Sequence, residues 1–310
     1  MGQMVAGKSS EETIVRRIIK RVRIPPGSGL KVGIGDDCAV FRPRGSADDL
    51  LFTTDLLLED VHFRRETHSA EDVGYKALAR GLSDIAAMGG DPRFCLLSLA
   101  IPRWASPAWV DRFYRGFFGL AGKTATPLAG GDLARSRRLA CDVIVCGAVP
   151  RNSALLRSGA RPGDAIYVSG LLGGSALGLA GGKGRARKRH LRPEPRLALG
   201  KFLREKLHAH AAMDLSDGLS LDLRRLCLAS GVSAEIEAPP VFPGASRKQA
   251  LHGGEDYELL FVVPPASNPP QDFEGLPLTR IGTITAGRAG AVRLSGRPLA
   301  PLAFDHFRRP

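Results

Sequence analysis

No stretch of the 310-residue chain approaches the roughly 18 consecutive apolar residues that a membrane-spanning helix requires. The opening MGQMVAGKSSEET has no apolar core, which argues against a secretory signal. Its Met-Gly start also lacks the Ser or Thr at the sixth position that myristoylation uses. No C-x-x-C pair occurs among Cys38, Cys95, Cys141, Cys146 and Cys227. Their odd number and mostly apolar surroundings point to reduced, mostly buried thiols in a cytoplasmic protein. Negative charge is the minority sign: 31 Asp and Glu against 44 Lys and Arg leave a formal net charge of +13. Such a charge can attract nucleic acid or small phosphorylated substrates. The one dense basic run, Gly181 to His190, has no interleaved aromatics of the kind that stack on bases, so nucleic acid is the weaker reading. A phosphate-binding lysine loop is missing too. GLAGKT (Gly119 to Thr124) has Phe117 where that loop needs glycine, and it closes a predicted helix instead of opening one.

The acidic residues that are present gather in short motifs, most of them beside glycine. These are GIGDD (Gly33 to Asp37), TTD (Thr53 to Asp55), LSD (Leu82 to Asp84), GGD (Gly130 to Asp132), DLSDG (Asp214 to Gly218) and GGEDYELLF (Gly253 to Phe261). Hard cations such as Mg²⁺ take carboxylate oxygens and carry substrate phosphates with them. Without a loop lysine, phosphate charge would have to be neutralised mainly by metal ions. Each motif also has a plain structural reading. GIGDD can be a turn, and with Cys38 in place of a third glycine it is a weak dinucleotide fingerprint. TTD can end a strand, and Asp84 can lie on an exposed helix face. Ser216 or Asp217 can cap a helix at Gly218, and GGEDYELLF can be an acidic strand edge. His62 can be structural or solvated. His208 and His210, two apart on a predicted helix, do not face one another and are not read as a metal site.

The length suits two domains, 1–150 and 151–310, with a polar, turn-rich break after Pro150. Periodicity predicts an amphipathic helix over 11–22 with Ile14, Val15, Ile18, Ile19 and Val22 on one face. It also predicts a long helix over 70–90, stopped by Gly89 and Gly90, and a third helix with Ser106 as cap and Pro107 in its first turn. Strands are predicted at KVGI, LLFTTDLLL, FCLLSLAIP, TPLAGGDL and LACDVIVCGAVP. The second half reads as a strand DAIYVSG, a Gly-rich turn over 171–182, a helix over 194–210, a helix through Ser230, and strands SAEIE, YELLFVVP, LTRIGTIT and AVRLSG.

Taken in order, GIGDDCAVF, TTDLLLEDVHF, YKALARGLSDIAAMGGDPR, LAGGDLARS, RSGARPGD, HLRPEPRL, AMDLSDGLSLDL, GGEDYELLF and FDHF resemble the thiamine-monophosphate kinase family. That family lies within the superfamily of aminoimidazole-ribonucleotide synthetase and selenophosphate synthetase. The resemblance implies an α/β N-terminal domain built on a mixed sheet, an α+β C-terminal domain, and a homodimer formed through the N-terminal sheets, with the active site in a cleft between domains. It implies several Mg²⁺ ions on Asp37, Thr53, Thr54, Asp55, Asp84, Asp132, Asp214 and Asp217. ATP would contact Tyr114, Gly131, Asp132, Arg157 and Ser216. Thiamine monophosphate would contact His62, Glu255 and Phe304. The implied chemistry is direct transfer of the ATP γ-phosphoryl group to the acceptor phosphate, with no protein nucleophile. Two other readings stand beside it: another ATP-dependent member of the superfamily, activating an amide or selenide, and a basic nucleic-acid-binding protein.

Overall fold

Residues 11–302 are described in the computed structural model of the chain. Its first half holds α1 (Glu11–Ile19), β1 (Leu30–Val32), β2 (Ala39–Phe41), β3 (Asp48–Leu58), α2 (Ala70–Ala87), β4 (Asp91–Pro102), α3 (Pro107–Lys123), β5 (Leu128–Ser136) and β6 (Ala140–Pro150). The strands form a six-stranded sheet in the order β1-β2-β3-β6-β4-β5, antiparallel except for the β4–β5 pair. Alternation along β3 shows how the sheet chooses its faces. Leu51, Thr53 and Leu57 are buried beneath α2 and α3, whereas Thr54 and Leu56 lie on the opposite, open face.

The second half holds β7 (Ala165–Ser169), α4 (Gly174–Leu179), α5 (Arg185–Leu191), α6 (Leu197–Glu205), β8 (Ala211–Asp214), α7 (Leu219–Ser230), β9 (Ser233–Ile236), α8 (Arg247–His252), β10 (Leu259–Val263), β11 (Asp272–Phe273), β12 (Leu276–Thr285), β13 (Val292–Leu294) and β14 (Arg297–Pro298). Its sheet runs β14-β13-β9-β12-β7-β10-β8, with β11 paired to β12. Strand β10, LLFVV, is apolar throughout because both its faces are covered. Leu260 and Val262 pack with α7 and α8, while Leu259, Phe261 and Val263 pack with α6 and with Ala86 and Ala87 of α2.

Helix α2 is therefore shared by both halves, and 13 of its 18 residues are buried. Ser69 and Asp72 close a capping box at its start. Glycines let its neighbours approach. A Cβ on Gly74 would lie 2.0 Å from the Phe113 carbonyl oxygen of α3, and one on Gly116 of α3 would lie 2.0 Å from the Glu71 carbonyl oxygen. Gly74→Ala is expected to destabilise the protein by about 3 kcal/mol, the upper end of the usual overpacking cost. A thermal melt unchanged from wild type would refute this tight seating.

Several expectations are corrected. Helix α1 stops at Ile19, not Val22; none of its residues is buried, and a helix this short needs packing of its apolar face to extend further. Helix α6 ends at Glu205, so His208 and His210 lie beyond it; His210 Nδ1 pairs with Asp164 Oδ2 at 2.8 Å. The Gly-rich turn contains α4, and the basic run folds into α5, anchored by buried Ala186 and His190. Strand β2 and helix α8, three and six residues long, are too short to carry a periodic signal in the sequence.

Candidate active site

Three carboxylates from three separate segments converge between the two sheets. Asp37 sits in the loop between β1 and β2, Asp84 on α2, and Asp214 at the end of β8. One ligand atom from each lies within 4.8 Å of the others. Hydroxyls orient two of them: Thr53 Oγ1 donates to Asp84 Oδ2 at 2.5 Å, and Ser83 Oγ to Asp214 Oδ2 at 2.6 Å. The Arg157 guanidinium pairs with Asp37 Oδ1, but buried Asp37 Oδ2 has no hydrogen-bond partner among the described residues. Burial, followed by repulsion from Asp55, Asp214 and Asp37, pushes the Asp84 carboxyl well above the usual carboxylate range. Burial and Asp37 do the same to Asp214. An all-carboxylate donor set with an unsatisfied buried oxygen fits a hard divalent cation.

A cleft of about 380 Å³ opens beside this cluster, lined by Asp55, His62, Arg80, Asp84, Asp214, Ser216, Asp217 and Glu255, among others. Asp55 pairs with Arg80 of α2 at 2.7 Å, and Asp217 with Arg225 of α7 at 2.5 Å. Neither Ser216 nor Asp217 caps α7. Its N-cap is Gly218, which has no side chain to cap with, and the carboxylate of buried Asp222 accepts the N–H groups of Asp217 and Gly218. Burial, then Asp217, pushes the Asp222 carboxyl up to about 7.

GGEDYELLF is no strand edge, since β10 lies between β7 and β8. Its acids divide three tasks. Asp256 accepts the backbone N–H groups of Gly173 and Ser175. Glu258, fully buried, binds Arg189, Arg196 and Ser169. Glu255 faces the cleft. Glu255 and Tyr257 have positive φ, 64° and 50°, unusual for side chains with a Cβ. Their N–H groups donate to the carbonyls of Ser216 and Leu215, which holds the loop against DLSDG. His62 also lines the cleft, and its Nδ1 accepts the Leu58 N–H at 3.0 Å.

Thr54, Gly131, Asp132 and Tyr114 lie outside this cleft. Thr54 belongs to the open face of the first sheet, where its hydroxyl donates to Asp142 at 2.6 Å. Strand alternation separates it from Thr53 and Asp55. Asp132 and Gly131 are exposed on the edge strand β5, with Asp132 in register with Ser98 and Ser98 with Asp142. A Cβ at Gly131 would lie 1.8 Å from the Leu97 carbonyl oxygen, so close strand pairing requires this glycine. Tyr114 packs on Phe118 along α3. Phe304 lies outside the described residues.

Sequence reading missed Asp36, Lys76, Arg80 and Ser83. Asp36 accepts the Arg157 N–H, and burial, then Asp37, pushes its carboxyl up to about 6. Lys76, Arg80 and Asp84 recur every fourth residue along α2. That spacing was a usable signal, because it places all three on one helix face.

Residues 35–151 match the model for the AIR synthase related protein N-terminal domain, and residues 161–295 the model for its C-terminal domain. The chain is 38% identical to thiamine-monophosphate kinase of Escherichia coli K12, over 97% of this chain and 99% of that protein. The chain belongs to the thiamine-monophosphate kinase family. It is also similar to the Bacillus subtilis thiamine-monophosphate kinase, at 36% identity over 91% of this chain and 95% of that one. Among solved structures it is similar to AaThiL complexed with AMPPCP and TMP, with a TM-score of 0.84 and 33% identity over 96% and 97% of the two chains. Hydrogenase maturation protein HypE, at 17% identity and a TM-score of 0.65 over 91% and 97% of the chains, shares the fold alone.

Proposed function

We propose that this kinase-family chain phosphorylates thiamine monophosphate with ATP, giving thiamine diphosphate and ADP by direct, Mg²⁺-assisted transfer. The observation that carries this reading is the convergence of Asp37, Asp84 and Asp214 beside the cleft. These residues would hold Mg²⁺, with Asp55 and Asp217 on the cleft wall as further ligands. Bound there, Mg²⁺ supplies charge compensation and in-line orientation for two polyanions. Thr53 and Ser83 fix the carboxylates in advance, and Arg157 and Ser216 would contact the nucleotide. His62, Glu255 and Phe304 serve the acceptor. The acceptor phosphate has a second pKa of about 6, so it attacks as an anion and needs no general base. No nucleophile paired with a base is required. All five cysteines are buried, and burial pushes the Cys38 and Cys227 thiols up, Cys227 to about 12.

The open sheet face carrying Thr54, Leu56 and Asp142 suits packing against a second copy. Asp132 on β5 and Tyr114 on α3 would act at that boundary. The N-terminal and C-terminal units would be 1–150 and 151–310. Buried free thiols suit a reducing cytoplasm, and no helix among the described residues is long and apolar enough to cross a membrane. The basic run gives little support to nucleic-acid binding. Within it, Arg189 is engaged with Glu258 and Arg187 with the Thr67 carbonyl, and Arg192 just beyond it pairs with Asp72.

A kinase assay with ATP, Mg²⁺ and thiamine monophosphate is expected to yield thiamine diphosphate, with inversion at a chirally labelled γ-phosphorus. Turnover only with other acceptors would overturn the substrate, and net retention would overturn the direct mechanism. Phe304→Ala should raise KM for thiamine monophosphate and leave KM for ATP unchanged. An equal change in both would move the acceptor pocket elsewhere.

A further inference from the structure

Lys76 lies within α2 with its side chain completely buried. Its Nζ sits 2.9 Å from Glu255 Oε2 and donates to the His62 carbonyl at 3.3 Å. One ammonium thus touches two residues assigned to the acceptor, one from each half of the chain. Glu255 Oε2 also lies 3.3 Å from His190 Nδ1, which is 3.0 Å from the Ser175 hydroxyl. Oε2 is thereby committed to the protein, while Oε1 makes no hydrogen bond among the described residues and belongs to a side chain lining the cleft. Burial pushes the Lys76 ammonium below its usual range. Burial would also raise Glu255, but Lys76 and then His190 outweigh it and hold the carboxyl below the usual range. The same face of α2 presents Arg80 to Asp55 and Asp84 to the carboxylate cluster. One helix therefore carries the acceptor wall at one end and the cation cluster at the other.

We propose that Lys76 is a positioning residue for the acceptor. Resting on the kinase reading, it fixes Glu255 Oε2 so that Oε1 meets a cationic heterocycle on the incoming phosphate ester. Its own ammonium never touches substrate. A lysine that merely stapled the two halves together would affect stability and both substrates alike. A positioning lysine acts only through Glu255, and a double-mutant cycle separates the two roles.

The test is steady-state kinetics for both substrates in wild type, Lys76→Met, Glu255→Gln and the double variant. Lys76→Met is expected to raise KM for thiamine monophosphate about 10- to 100-fold, the worth of a hydrogen bond to a charged group, with KM for ATP unchanged. In the Glu255→Gln background the same change should add little. A parallel rise in both KM values, an unmoved acceptor KM, or a full penalty in the Glu255→Gln background would overturn the proposal. Should Lys76→Met not fold, Lys76→Gln, which keeps a donor without the charge, is read in the same two backgrounds against the same outcomes. If wild type fails to turn over thiamine monophosphate, the kinase reading falls and this proposal with it. If wild type is active but Glu255→Gln leaves acceptor KM unmoved, the proposal alone falls.

Discussion

Asp84→Asn is expected to cut turnover by about 100- to 1,000-fold or more, the scale seen when one preorganised electrostatic group is removed. The fold should persist, and the cation-free protein should become more stable. Asp84 lies within 4.8 Å of ligand atoms of Asp37 and Asp214, and its charge is resisted by burial and by those neighbours. Its folded pKa is raised above the ordinary 3.8. The stability it contributes is therefore present below that value and lost as pH rises through the folded pKa. Without cation, crowding the three carboxyl groups disfavours the charged form of Asp84, and an amide at position 84 removes that cost. Mg²⁺ should reverse the order by binding the native wild type. Thermal melts with and without Mg²⁺, beside turnover assays, check both halves. A folded Asp84→Asn protein with near-normal turnover at limiting Mg²⁺ would remove Asp84 from the metal site.

Glu258→Gln is expected to cost about 3–5 kcal/mol of stability, the usual result of breaking a buried ion pair from one side. Glu258 is fully buried, with Arg196 Nη2 at 2.7 Å, Arg189 Nη2 at 2.5 Å and the Ser169 hydroxyl at 2.5 Å. Loss of the carboxylate leaves two guanidinium groups facing a neutral amide. Burial opposes the Glu258 charge, but Arg189 and then Arg196 outweigh it and hold the carboxyl below the ordinary 4.5. This contribution is thus complete above pH 4.5 and fades as pH falls from there towards the folded pKa. Urea unfolding of both proteins at neutral pH and in acid measures the difference, which should narrow in acid. An equal midpoint at neutral pH would show that Glu258 is dispensable. The Arg189–Glu258 pair also gives the basic run a structural task.

Much of this molecule was legible in its sequence. Hydrophobic periodicity is a local property, and it placed α2, α3, β3, β4, β6 and β10, where long apolar stretches leave one choice. Capping is local as well, so Ser106 and Pro107 at the start of α3 and the Gly89–Gly90 stop after α2 were visible. The acidic motifs pointed to a cation-assisted phosphate chemistry, and their order pointed to the family. Where the local signal was weak, only packing decided. Helices α4, α5 and α8 have six or seven residues each and exist because Ser175, His190 and Leu251 are buried by partners distant in sequence. The site divides in the same way. Sequence supplied Asp37, Asp84 and Asp214, but their approach to within 4.8 Å required α2 to lie between the two sheets. Strand alternation then sent Thr54 to the open face and Thr53 towards Asp84, a separation of adjacent residues that no motif expresses. Lys76 is the sharpest case. Within its helix it is an ordinary charged residue. It becomes a buried partner of Glu255, 179 positions away, only because long-range burial strips it of water and leaves one carboxylate to compensate its charge.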